Sequence, residues 1–251
     1  MTTAIDLSTT LLTPTVQREV KTFCSALEEK LGPALVSISL YGSGARDDFR
    51  PEHSDVNLLV VASGELQRAT LRPLLEAVGK AQRAGIAPFF MTEAELTTST
   101  DIFPVKFLSM KESHRVLVGK DVLGSLAIGR EHVRLRCEQE LMNLVLKLRK
   151  RYLEGEGRGL DRFIAQTVGG LLDVLRISLT LTGEGLVTRR EVPEAAGRRI
   201  GIDPGVLKKA VELRDQEEWL PPEETQVLFE SYLAAVSKAA RFVDALEEGK
   251  A

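Results

Sequence analysis

Two cysteines, one tryptophan, three tyrosines and three histidines in 251 residues leave several chemistries without material. Cys24 and Cys137 stand far apart in segments of helical character, at no metal-ligand spacing and too few for a disulfide framework. A reducing, cytoplasmic setting is the expectation. The histidines (His53, His114 and His132) have no partners at ligand spacing, so a histidine-based metal centre is not indicated. No apolar run approaches the roughly 20 residues that a bilayer-spanning helix needs, so no membrane is expected. Residues 1–10 lack the basic start and apolar stretch of a secretory leader. Excess positive charge is missing too: a net charge of −3 and a pI of about 5.8 argue against a nucleic-acid partner. The glycines of Gly155-Glu156-Gly157-Arg158-Gly159 lack the preceding strand and following Lys-Ser/Thr of a P-loop, and read as an inter-helix turn.

What is present is ordinary globular material. A hydrophobic content of 43% with 27% charged residues excludes a disordered chain and supports one large or two small domains. Thr13-Pro14 opens a helix whose apolar residues Val16, Val20, Phe23, Leu27 and Leu31 recur at three- and four-residue steps until Gly32-Pro33. Two apolar strands follow, then an amphipathic helix over 65–83 interrupted by Pro73, and a short strand over 86–91. Thr92-Glu93-Ala94-Glu95 has the form of a helix-capping box. Residues 101–110 are expected to form another strand, answered by one over 114–118. This alternation predicts an α/β (α+β) mixed-sheet domain over residues 1–125. Beyond it the pattern turns wholly helical, with long helices over 129–153, 160–181 and 223–248 and one or two short ones within 187–215 around Gly201 and Pro204, which predicts an all-α helical bundle for residues 126–251. The basic run Lys147-Leu148-Arg149-Lys150-Arg151 closes a long helix, where the backbone dipole favours cations without any partner.

The chain is organised around residues 34–62. The apolar strand Ala34–Tyr41 runs into Gly42-Ser43-Gly44, a polar connection follows, and a second apolar strand begins with Asp55-Val56-Asn57-Leu58. Alternation along that strand puts Asp55, Asn57 and Leu59 on one face and Val56, Leu58 and Val60 on the other. Two oxygen-bearing side chains beside a glycine turn suit a magnesium–nucleotide complex, because magnesium takes hard oxygen ligands from carboxylates and phosphates. Glycine lets backbone N–H groups approach a phosphate with no Cβ in the way.

These residues resemble the signature of the nucleotidyltransferase superfamily related to DNA polymerase beta, in particular its small bacterial antibiotic and minimal nucleotidyltransferases. The family pattern is Gly followed by Gly or Ser, a spacer, then acid–apolar–acid–apolar; here Gly42-Ser43 precede Asp55-Val56-Asn57-Leu58. The resemblance implies a nucleotidyltransferase-like sheet domain followed by a helical bundle that helps to form the acceptor cleft. It implies transfer of a nucleoside monophosphate from a nucleoside triphosphate to an acceptor hydroxyl, releasing pyrophosphate. Gly42, Ser43 and Arg46 would then bind the nucleotide, Asp55 would be catalytic, and Asp55 with Asn57 would hold Mg2+, as two sites or a single weaker one. Asn57 departs from the pattern, since its amide oxygen carries no charge with which to replace the second acid. The third acid that the family places on a later strand is also absent from 103–110. Lys106 on that expected strand either faces Asp55, taking the place of a metal's charge, or points to solvent. Asp101 and Glu112 flank it as candidate substitutes for the acid.

Asp47 and Asp48 read as helix-start residues, and His53 as a loop residue near the mouth. The expected partners are a nucleoside triphosphate and an acceptor that is a small molecule or a protein, with a homodimer left open. The alternative is a catalytically degenerate pseudoenzyme that binds nucleotide or a protein partner, as in a toxin–antitoxin-like pair.

Overall fold

The computed structural model describes residues 5–46, 49, 55–155, 157–183, 185, 187–214, 216 and 219–246. Asp47, Asp48 and His53 lie outside the described residues. The chain forms two compact units, Met1–Ile128 and Gly129–Ala251.

Helix α1 (Pro14–Leu31) opens as its sequence dictates: the Thr13 hydroxyl accepts from the Val16 N–H at 3.4 Å and Pro14 occupies the first turn. Strand β1 (Leu35–Tyr41) and strand β2 (Val56–Ala62) pair antiparallel, with Tyr41 opposite Asn57. The expected helix over 65–83 is divided at Pro73 into α2 (Arg68–Leu71), a 3-10 turn and α3 (Leu75–Arg83). Strand β3 (Ile86–Thr92) lies parallel to β2, Asn57 facing Ala87 and Leu59 facing Phe89. Helix α4 (Glu93–Thr98) starts with the capping box: Thr92 Oγ1 accepts from the Glu95 N–H, and Glu95 accepts from the Thr92 N–H.

The expected strand over 101–110 is a helix, α5 (Pro104–Glu112). Proline fits a first helical turn and cannot donate to a central ladder. Pro104, Phe107 and Met110 then fall three apart and are buried together. Strand β4 (His114–Gly119) pairs antiparallel with β1, giving a mixed sheet of order β3-β2-β1-β4.

The sheet has a core on each face. Ile38, Leu40, Leu58 and Val60 pack with Val20, Phe23, Cys24 and Leu27 of α1. Leu59 and Val61 pack on the other face with Met91, Leu96, Phe107 and Met110, so α5 covers the face to which Asn57 belongs.

The second unit is all helical: α6 (Arg130–Glu154), α7 (Leu160–Thr180), α8 (Val192–Ile200), α9 (Pro204–Glu212) and α10 (Pro222–Asp244). Helix α7 is long and apolar enough to cross a membrane by length and composition, which the absence of a long apolar run did not anticipate. Within this unit it is the central helix, with Ile164, Val168, Leu171, Leu175 and Leu179 buried. The Tyr232 hydroxyl on α10 lies 3.2 Å from Thr167 Oγ1 on α7, and Tyr152 of α6 stacks on Phe229 of α10 at 5.3 Å.

Candidate functional site

Strand β1 ends at Tyr41, and the chain turns at once through the 3-10 segment Gly42–Ala45. Gly42 has φ +73°, a left-handed conformation that glycine enters without strain. A Cβ at this position would stand 3.5 Å from the Asn57 amide nitrogen, so the turn lies directly against the start of β2. The Arg46 N–H closes the turn on the Ser43 carbonyl at 3.1 Å. The structure thus brings Gly42 to Asn57, and Asp55 lies two residues earlier, just before β2 begins.

Asn57 Nδ2 donates to the Asp55 carbonyl at 3.3 Å. That bond uses the amide nitrogen as donor, and the amide oxygen is by its chemistry an acceptor. Asp55 itself is exposed, and its carboxylate forms no ion pair with another described residue. Tyr41 is half-buried between Asn57 and His114, its Cα partners on β2 and β4, and burial pushes its phenol above the usual range.

Lys106 is the residue whose setting changes most. It sits on α5, and its ammonium lies 3.6 Å from the centroid of the Phe89 ring on β3. Phe89 is the register partner of Leu59, which shares the Asn57 face of β2. The residue as a whole is exposed, yet burial of the ammonium lowers its pKa below the ordinary lysine value. Sequence reasoning missed Phe89, because nothing in the chain links positions 89 and 106 until α5 is known to be a helix.

The third acid is not recovered by moving the strand. Neither β3 (Ile-Ala-Pro-Phe-Phe-Met-Thr) nor β4 (His-Arg-Val-Leu-Val-Gly) carries a carboxylate. Asp101 lies in the turn before α5 and Glu112 ends that helix, both exposed. Among the described residues, no group of three or more His, Cys, Asp or Glu side chains comes together to hold an ion. One carboxylate and one amide oxygen do not offset the mutual repulsion of two neighbouring divalent ions. The donor set among the described residues therefore does not fit the two-magnesium arrangement that the resemblance implies.

His114 has a structural partner instead. Its Nε2 lies 2.9 Å from Asp121 Oδ1 and its Nδ1 2.9 Å from the Lys111 carbonyl, tying α5, β4 and the following loop together. The Gly124 N–H donates to the same Asp121 oxygen at 2.7 Å; that bond and the imidazole beside it hold the carboxyl below its usual range. Nothing in the spacing of the histidines signalled this clasp.

Against known proteins, no family model matches the sequence and no curated protein matches it. Among solved structures, the chain is similar to spectinomycin adenyltransferase AAD(9) from Enterococcus faecialis, solved with ATP and spectinomycin. The similarity covers 90% of this chain and 100% of that one, with a TM-score of 0.56 and 14% sequence identity. A likeness at that identity establishes the fold, a nucleotidyltransferase-like mixed-sheet domain followed by a helical region.

Proposed function

We propose, from the premise of a nucleotidyltransferase fold, that the first unit binds a nucleoside triphosphate at the β1–β2 mouth and transfers its nucleoside monophosphate to a small-molecule hydroxyl. The observation that supports this reading is the seating of the Gly42 turn against Asn57, whose amide in turn donates to the backbone carbonyl of Asp55. Gly42 and Ser43 offer backbone N–H groups and a hydroxyl to the phosphates, and Arg46 adds a guanidinium from the same turn.

Asp55 is the charged oxygen at the mouth. Its role is to orient the acceptor hydroxyl and take its proton. The hydroxyl oxygen forms a bond to the α-phosphorus, the bond from that phosphorus to the bridging oxygen breaks, and pyrophosphate leaves. A small-molecule acceptor is favoured because the structural neighbour was solved with spectinomycin as well as ATP. A reducing, cytoplasmic location belongs to the same reading and accords with Cys24 and Cys137 being free thiols.

A second reading is favoured by one observation, the neutral Asn57 in place of an acid: a protein that binds nucleotide without turning it over. Calorimetric titration with ATP, GTP, CTP and UTP tests what the two readings share, and binding of none of them overturns both. Pyrophosphate release with spectinomycin and other polyhydroxylated trial acceptors then separates them. Release above the acceptor-free rate establishes transfer, and its absence across the panel favours the binding protein.

A further inference from the structure

The described residues, which do not fit a pair of magnesium ions, are accompanied by a cation of the protein's own. We propose that Lys106 is a phosphate-binding residue of this site, its ammonium standing in for one divalent ion, so that a nucleoside triphosphate binds without a metal pair. The inference rests on the nucleotide reading above and adds to it a residue and a charge mechanism.

Position comes first. Helix α5 packs on the sheet face that carries Asp55, Asn57 and Leu59, with Phe107 and Met110 buried against Leu59. Lys106 precedes Phe107, and its ammonium lies on the ring of Phe89, beside Leu59 in the parallel ladder. Asn57 is two residues from Leu59 along β2, a separation of about 6.6 Å. The ammonium is thereby held on the Asn57 face of the sheet, beside the neighbour of Leu59.

Charge comes second. No described carboxylate pairs with Lys106, whereas Lys80, Lys120, Lys208 and Lys209 all have acidic partners. Lys111, the other lysine of α5, is engaged with the Leu126 carbonyl at 2.7 Å. An ammonium drawn partly out of water onto an aromatic ring, with no counter-ion, is completed by an anion. Two divalent cations beside it would add repulsion where Asn57 and the acid-free strands β3 and β4 supply nothing to relieve it. One triphosphate satisfies the ammonium and the glycine turn together.

The test is titration of the full chain with ATP in EDTA and again in excess magnesium, for the wild type and for Lys106→Gln, Lys106→Arg and the double variant Lys106→Glu/Asn57→Asp. The expected result is ATP binding in EDTA, weakened about tenfold or more by Lys106→Gln and retained by Lys106→Arg. Inorganic tripolyphosphate should compete, which assigns the contact to phosphate rather than base. The double variant should bind ATP only with magnesium, because it exchanges the ammonium for the carboxylates that a metal requires. Wild-type binding that requires magnesium, or that Lys106→Gln leaves unchanged, overturns the role of Lys106 while leaving the nucleotide site standing. No binding under either condition overturns the nucleotide reading itself, and the role of Lys106 with it. Urea midpoints of the variants separate lost binding from lost fold, and a lysine that only stacks on Phe89 would move the midpoint alone.

Discussion

At the scale of single residues, the site is a balance between what Asp55 supplies and what Asn57 withholds. Asp55 is exposed and bears on no core contact, so Asp55→Asn should leave the urea midpoint within about 0.5 kcal/mol of wild type. If its carboxylate accepts the acceptor's proton, the same substitution should lower pyrophosphate release by about a hundredfold or more while ATP still binds. Unchanged release would remove Asp55 from the chemistry. Gly42→Ala asks a different question, because φ +73° is strained for any side chain, while the new methyl would only touch the Asn57 amide at ordinary contact distance. It should cost about 1–2 kcal/mol of stability and weaken ATP, read by denaturation and calorimetry together. The sequence made Gly42, Ser43, Asp55 and Asn57 legible because they are local in the chain and a turn followed by an alternating strand has a fixed geometry. Lys106 was visible as a residue but not as a neighbour, since its partner Phe89 is supplied by tertiary packing.

At the scale of elements, the starts of α1 and α4, read from their capping signals, were legible almost to the residue, and α5 was not. Its run Ile102-Phe103-Pro104-Val105-Lys106-Phe107-Leu108 is rich in residues that favour strands. The contrary signal was Pro104, which a central strand does not tolerate and a helix start welcomes. Packing decided the matter, because Phe107 and Met110 complete the second core only when they lie on one helical face. Strand β4 holds a second feature that no periodicity announces. Gly119 has φ +78°, and a Cβ there would fall 2.0 Å from the Val36 carbonyl oxygen at the start of β1. Gly119→Ala should therefore destabilise the first unit by more than about 2 kcal/mol, through strained backbone and a clash that no rotamer relieves. A urea midpoint equal to wild type would show that the β1–β4 ladder yields there at no cost.

At the scale of the whole molecule, each compact unit contains one free, buried cysteine: Cys24 in the first and Cys137 in the second. Burial pushes their thiols up to about 12 and about 11, above the ordinary 9.0. For an acid whose folded pKa is raised, the unfolded state ionises first. The stabilising effect is then fully present below pH 9.0 and lost as pH rises from there toward 11 and 12. Both units should consequently weaken on the alkaline side, and Cys24→Ala or Cys137→Ala should flatten that decline in its own unit. The same pair separates the units by ligand response. Cys24 packs in one cluster with Ile38 and Leu58, so an opening that exposes it disturbs the two strands that lead into the Gly42 turn and out of Asp55. At pH 8, thiol labelling of Cys137→Ala reports opening of the first unit, and labelling of Cys24→Ala reports the second. ATP at 100 times its Kd should slow Cys24 labelling about a hundredfold, because ligand binding to the folded state alone suppresses opening by that ratio. Cys137 labelling should keep its rate if the binding energy is confined to the first unit. Equal protection of both thiols would instead assign part of that energy to the helical bundle, and protection of Cys137 alone would move the nucleotide site off the β1–β2 mouth.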